Sequence, residues 1–139
     1  MPRVADFIKR RPVTTQPGVS IRVVVDIMVK NNVGSVVLVD NSGKPVGIVT
    51  ERDVVRALAR GLSADDAVDK IATTEGLVTA RWDEDIYEAL RKMRGRGVRH
   101  LIIVGEDGSL IGVLSMRDLL EDMALKHLGE RVWWPPPED

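Results

Sequence analysis

Residues Gly47–Asp53 read "GIVTERD", and residues Gly112–Asp118 read "GVLSMRD". Each stretch opens on a glycine, runs through two apolar residues to a hydroxyl, and sets an aspartate three positions after that hydroxyl. Such spacing marks the start of a helix. The hydroxyl accepts a hydrogen bond from the N3 amide while the acid reaches back to the cap amide. Aspartate is shorter than the usual glutamate, yet an anion in the first turn also suits the helix dipole. The stretch occurs twice, 65 positions apart, and so supplies the frame in which the rest of the chain is read.

That offset aligns Val13–Ala59 with Val78–Ala124 without a gap. Ile21 meets Ile86, Met28 meets Met93, Val39 meets Val104, Gly43 meets Gly108, and Arg52-Asp53 meets Arg117-Asp118. Upstream, Ala5–Ile8 resembles Val68–Ile71 once two extra residues are allowed in the second copy. A gap-free match of this length signals a duplicated unit.

Each copy carries the same local code. Ile21, Val24, Val25 and Met28, like Ile86, Ala89, Leu90 and Met93, fall at i, i+3, i+4 and i+7 and make one helical face. Next come β-branched runs at 35–40 and 100–104, a Gly-containing turn at 41–44 and 106–109, and second runs at 46–49 and 110–114. Two runs joined by a short polar turn predict an antiparallel hairpin. A closing helix is expected from Arg52 or Arg117, with Val54, Val55 and Leu58, or Leu119, Leu120 and Met123, on its buried side. The predicted unit is β-α-β-β-α, an α/β (α+β) fold. About 60 residues bury too little surface to be stable alone. Two copies related by a pseudo-twofold axis would pack sheet to sheet and form two symmetric clefts. Residues 1–62 and 63–128 are the expected copies, followed by a Trp- and Pro-rich tail at 129–139.

Composition narrows the functions. The 139 residues are 44% apolar, and 20 basic residues nearly balance 21 acidic ones, so net charge lends no support to nucleic-acid binding. Without cysteine, disulfides, thiolate metal sites and cysteine nucleophiles are excluded. The start, Met1–Asp6, has no apolar signal-like run, and no segment approaches the roughly 18 apolar residues of a membrane span. A cytoplasmic, soluble protein is expected. His100 and His127 are the only histidines, neither at metal-ligand spacing from a second good ligand, and Ser115 has no histidine–acid relay fixed by the sequence. With no Gly-rich loop before a lysine, catalysis on a nucleotide is not expected, nor any catalytic cofactor or metal.

The place of the motif adds a second reading to helix capping. Each Thr/Ser-x-x-Asp lies where an apolar strand ends and a helix begins, at the mouth of a cleft. A carboxylate there accepts from two vicinal hydroxyls, as on a ribose, and a helix N-terminus offers amides to phosphate.

On "VGSVVLVDNSGKPVGIVTERDVV" (33–55) and "VRHLIIVGEDGSLIGVLSMRDLL" (98–120), the chain resembles a tandem pair of cystathionine-β-synthase (CBS) domains, a Bateman module. The resemblance covers about residues 2–128 and implies a regulatory module, not a catalyst, that binds AMP, ADP, ATP or S-adenosylmethionine and acts on another protein. It implies that one cleft joins Thr50 and Asp53 to Leu77, Val78, Thr79, Ala80, Arg99 and His100. The other joins Ser115 and Asp118 to Pro12, Val13, Thr14, Thr15, Gly34 and Ser35. Arg99 offers a permanent forked donor and His100 a donor that can charge, whereas Gly34-Ser35 brings space and one hydroxyl. The Asp53 cleft is therefore the expected tighter phosphate site.

Val19, Val23 and Ile27 form a second apolar stripe on the first helix, where the second copy has Glu84, Glu88 and Lys92. A helix apolar on two faces needs two partners, so a homodimer is expected there. In the tail, Trp133-Trp134 and three prolines favour an extended conformation, placed on the chain's own surface, a dimer mate or a partner.

Overall fold

A computed structural model of the protein describes residues 2–128; the expectation for the Trp133-Trp134 tail lies outside them. The first copy contains β1 (Thr14–Thr15), α1 (Ile21–Asn31), β2 (Ser35–Val39), β3 (Pro45–Thr50) and α2 (Glu51–Ala59). The second contains β4 (Thr79–Arg81), α3 (Ile86–Arg96), β5 (His100–Val104), β6 (Leu110–Ser115) and α4 (Met116–Leu128). A short 3₁₀ turn precedes each, at Val4–Phe7 and Val68–Lys70. The two sheets have orders β1-β2-β3 and β4-β5-β6, with the first pair parallel and the second antiparallel in each. The α/β fold of two β-α-β-β-α units is as the repeat predicted.

Local chemistry sets the boundaries. Ser20 caps α1 by accepting from the Val23 amide at 3.2 Å, and Asp85 caps α3 by accepting from the Tyr87 amide at 2.7 Å. The hairpin turns repeat in detail. Asp40 accepts from the Ser42 amide and hydroxyl and from the Lys44 amide, while Asp107 accepts from the Ser109 amide and hydroxyl. Gly43 and Gly108 both take φ +82°, the left-handed conformation that these turns need.

Each core is completed by the other copy's leading segment. Val4, at the start of the first copy, is buried among Ala80, Ile86, Leu101, Leu114 and Leu119 of the second, with Phe7 and Ile8 packed beside it. Val68, near the start of the second copy, is buried among Val24, Val36, Leu38 and Val49 of the first, with Ile71 and Ala72 beside it. Backbone bonds hold the exchange: Val4 N–H donates to Glu84 O at 2.9 Å, and Val68 N–H to Val19 O at 2.8 Å. The packing units thus interlock across the repeat boundary expected at 62/63.

The closing helices bury less than their apolar content predicts. Val54 and Ala57 face the first core, but Val55 and Leu58 are each 65% exposed. In α4, Leu119 is buried while Leu120 and Met123 are exposed. The apolar stripe of α2 is wider than the sheet it covers, so its outer half joins Val29 of α1, 74% exposed, on an uncovered surface. On the second stripe of α1, Val19 and Ile27 are half-buried against their own core and Val23 is exposed.

Candidate functional site

Thr50 is the last residue of β3, and the helix starts at the next position. The hydroxyl of Thr50 accepts from the Asp53 amide at 3.4 Å. In return Asp53 Oδ2 accepts from the Thr50 amide at 2.9 Å and from its hydroxyl at 3.1 Å. The capping box predicted from "TERD" is therefore formed. Ser115 and Asp118 occupy the matching junction of β6 and α4, both half-buried.

Strand register brings the other candidates to these junctions. Ser35 pairs with Thr50, and His100 pairs with Ser115. The Glu51 amide donates to Gly34 O at 3.0 Å, and the Met116 amide donates to Arg99 O at 2.8 Å. Gly34-Ser35 and Arg99-His100 are therefore the same structural position in the two copies. Ser35 is buried and Arg99 exposed.

His100 ties the two copies together electrically. Burial holds its imidazole below the ordinary histidine value, against the upward pull of Asp118, then Glu51, with Arg99 adding to the lowering and Asp53 opposing it. Both motif aspartates, one from each copy, thus act on a single ring at the seam. Glu51 was not singled out from the sequence. Its carboxylate lies over Gly34, with Oε1 2.7 Å from where a Cβ would stand. The available signal was an exchange of charge between the copies: Gly34 with Glu51 in the first, Arg99 with Met116 in the second.

The strand candidates lie on sheet edges. β1 and β4 are both edge strands, and Val13 O and Val78 O accept from the Val37 and Ile102 amides at 3.0 and 3.1 Å. Pro12, Val13, Thr15, Leu77, Val78 and Thr79 are half-buried, and Thr14 is exposed. Ala80 is buried inside the second core, so only its backbone can face a ligand. Arg52 and Arg117 are exposed. Among the described residues, no group of acidic and histidine side chains is arranged to hold a metal ion. No helix there is long and apolar enough to cross a membrane.

A concave space of about 340 Å³ lies elsewhere, between α1 and α2, and is lined by Val25, Met28, Val29, Asn32, Val33, Glu51, Val54 and Val55. A second, of about 220 Å³, continues it past Ile21, Ala57, Leu58 and Leu62. These grooves belong to the uncovered helix surface and are mostly apolar, with Asn32 and Glu51 in the first and Arg22 and Ser63 in the second.

Comparison with known proteins follows the same division into copies. Residues 4–60 and 64–125 each match the CBS domain. An uncharacterized protein of Methanopyrus kandleri is 31% identical over 119 residues, covering 85% of this chain and 61% of that protein. A 17.7 kDa uncharacterized protein of Acidianus ambivalens is 34% identical over 125 residues, covering 90% of this chain and 75% of its own length. The chain spans only 22% of the L-aspartate semialdehyde sulfurtransferase of Methanocaldococcus jannaschii, at 27% identity. Among solved structures, a CBS domain protein from Pyrobaculum aerophilum complexed with AMP is 37% identical, with a TM-score of 0.83 over 91% of this chain and 96% of that one. A CBS domain pair complexed with 5′-methylthioadenosine and S-adenosyl-L-methionine is 26% identical, with a TM-score of 0.83 over 91% and 98%. With both repeats matched and the interlocked pair of sheets shared, this chain belongs to the CBS domain family, as a tandem pair.

Proposed function

We propose that the protein is a regulatory module that binds an adenine nucleotide, AMP foremost, in the clefts between its two copies. The observation that carries this reading is the pairing of His100 with Ser115 at the junction of strand and helix, where the charges of Asp118, Asp53 and Arg99 all act on its ring. A carboxylate beside a strand end suits a ribose diol, and a guanidinium suits phosphate. The 37% identical relative complexed with AMP supports the same ligand class. The Asp53 cleft, with Arg99 and His100, takes the phosphate more tightly, and ADP and ATP are weaker variants of the same ligand. The module itself performs no catalysis and needs no catalytic cofactor. It signals from the cytoplasm by changing the angle between its copies, and so what a regulated partner sees. A ligand shifts that angle only through its different affinities for the two arrangements.

S-adenosylmethionine is the second reading. Three carboxylates, Asp118, Glu51 and Asp53, act on His100, and such a setting also suits a cationic ligand. A ligand-independent dimeric scaffold is the third, because the motif also works as a cap. The dimer surface we propose is the exposed apolar face of Val29, Val55 and Leu58 together with Val23.

Calorimetric titration with AMP, ATP and S-adenosylmethionine separates these readings. AMP binding that is lost in Asp53→Ala supports the first. Preference for S-adenosylmethionine supports the second, and absence of binding by all three leaves the scaffold.

A further inference from the structure

Thr14 on β1 and Thr79 on β4 hold the same place in the repeat, 65 positions apart. In a parallel pair, alternate residues turn their backbone groups toward the neighbouring strand. Val13 and Val78 lend their carbonyls to β2 and β5, so the carbonyls of Thr14 and Thr79 point out from the sheet edge. The two edges then differ. Lys92 reaches from α3 and donates to Thr79 O at 2.8 Å, while pairing with the Glu84 carboxylate at 3.0 Å. At the equivalent position of α1 stands Ile27, packed on its own core, and no described side chain donates to Thr14 O.

This difference matters to a purine. Adenine presents an amino donor at position 6 beside the N1 acceptor, and a free edge residue answers it with a carbonyl and an amide. A 6-oxopurine reverses the pattern, with an oxygen acceptor at position 6 and a protonated N1. On β4 the carbonyl is already engaged, and the group engaging it is an ammonium with three donors. With the Glu84 carboxylate balancing its charge, the ammonium still sets a donor beside the carbonyl that adenine needs as a free acceptor.

We infer that Lys92 weakens the discrimination between 6-aminopurine and 6-oxopurine nucleotides in the cleft lined by β4, so that this cleft accepts IMP beside AMP, while the cleft lined by β1 keeps its full preference for adenine. The inference rests on the reading of the clefts as purine-nucleotide sites and further sets the base against the edge strands. It assigns a specificity-determining role to a residue outside the repeated motif. The two clefts then divide the work, one reading phosphate with a changed base preference and the other reading adenine.

The test is calorimetric titration of the full chain with AMP and with IMP. The Asp118→Ala background isolates the cleft lined by β4. Lys92→Met, which keeps the apolar stem, is expected to shift the AMP-to-IMP affinity ratio toward AMP by about tenfold, the scale of one charge-assisted hydrogen bond. Lys92→Arg is expected to leave the ratio near its starting value. A folded Lys92→Met protein with an unchanged ratio overturns the inference and leaves the nucleotide reading intact. Failure of the unsubstituted protein to bind either nucleotide overturns both. Should Lys92→Met not fold, Ile27→Lys in the Asp53→Ala background asks the converse. A shift of the β1-lined cleft toward IMP supports the inference, and an unmoved ratio overturns it.

Discussion

Asp53 holds Thr50 with one oxygen only. Its Oδ2 accepts from both the amide and the hydroxyl of Thr50, at 2.9 and 3.1 Å, and no described group donates to Oδ1. Capping and ribose binding therefore do not compete, since the second oxygen can take a diol while the first keeps the helix capped. Asp53→Ala is expected to cost about 1 kcal/mol of stability in urea denaturation, the usual loss of a helix cap. It should also weaken AMP binding more than tenfold. Asp53→Asn keeps an acceptor for Thr50 and should lose less stability than binding. Equal losses of stability and affinity in the two variants would mean that the residue is a cap alone.

The glycine that opens each motif has a packing reason. A Cβ at Gly112 would meet Ile8 Cγ2 at 2.9 Å, and one at Gly47 would meet the Thr73 carbonyl at 3.2 Å and Leu38 Cδ1 at 3.2 Å. Both contacts lie where a leading segment crosses the last strand of a copy, and Ile48 and Thr73 exchange two backbone bonds of 2.9 Å there. Gly47→Ala pushes on backbone and is expected to destabilise by roughly 1–3 kcal/mol, in the range of core overpacking. Gly34→Ala makes a useful control, because its Cβ would meet only the free end of the exposed Glu51 side chain. A Gly47→Ala protein as stable as Gly34→Ala would show that the crossing is loose.

The face carrying Val29, Val55 and Leu58 is apolar and lies over the grooves between α1 and α2. Contiguous exposed apolar area of this kind marks an interaction surface. Val55→Glu is expected to leave folding intact, because the side chain is already 65% exposed, and to lower the sedimentation mass of any dimer to that of the monomer. If Val55→Glu sediments as the unsubstituted protein does, this face is not the dimer contact.

Much of this could be read in the sequence because a duplicated chain reports its own structure twice. The hairpins, caps and motif junctions depend on neighbours a few residues apart, and the repeat showed each of them in two versions. Three features stayed hidden for a physical reason. The exchange of Val4 and Val68 between cores depends on where a linker crosses, which periodicity does not encode. The outward turn of Val55 and Leu58 depends on how wide a sheet α2 covers, and an apolar stripe looks the same whether a core or a partner meets it. Lys92 was visible only as a charge standing where the first copy has an apolar stripe, and its bond to Thr79 O required the edge strand to be in place.

His100 supplies the pH dependence. Burial keeps its folded-state value below the ordinary 6.5, and the carboxylates of Asp118, Glu51 and Asp53 only partly offset this, with Arg99 working against them. Because the folded value is the lower one, the unfolded chain takes up a proton first as pH falls. Stability from this group is thus complete above about pH 6.5 and declines as pH drops from there toward the folded value. His100→Gln removes the step, so its urea midpoint should fall less than that of the unsubstituted protein between about pH 7.5 and about pH 5.5. A phosphate placed beside the ring works in the opposite sense, raising its proton affinity, so AMP binding near pH 6 should take up protons. Titrations in two buffers of different ionisation enthalpy would then give different apparent heats, and His100→Gln should abolish the difference. Identical heats in both buffers for the unsubstituted protein would place the phosphate away from His100 and move the site to the neutral Gly34-Ser35 side of the seam.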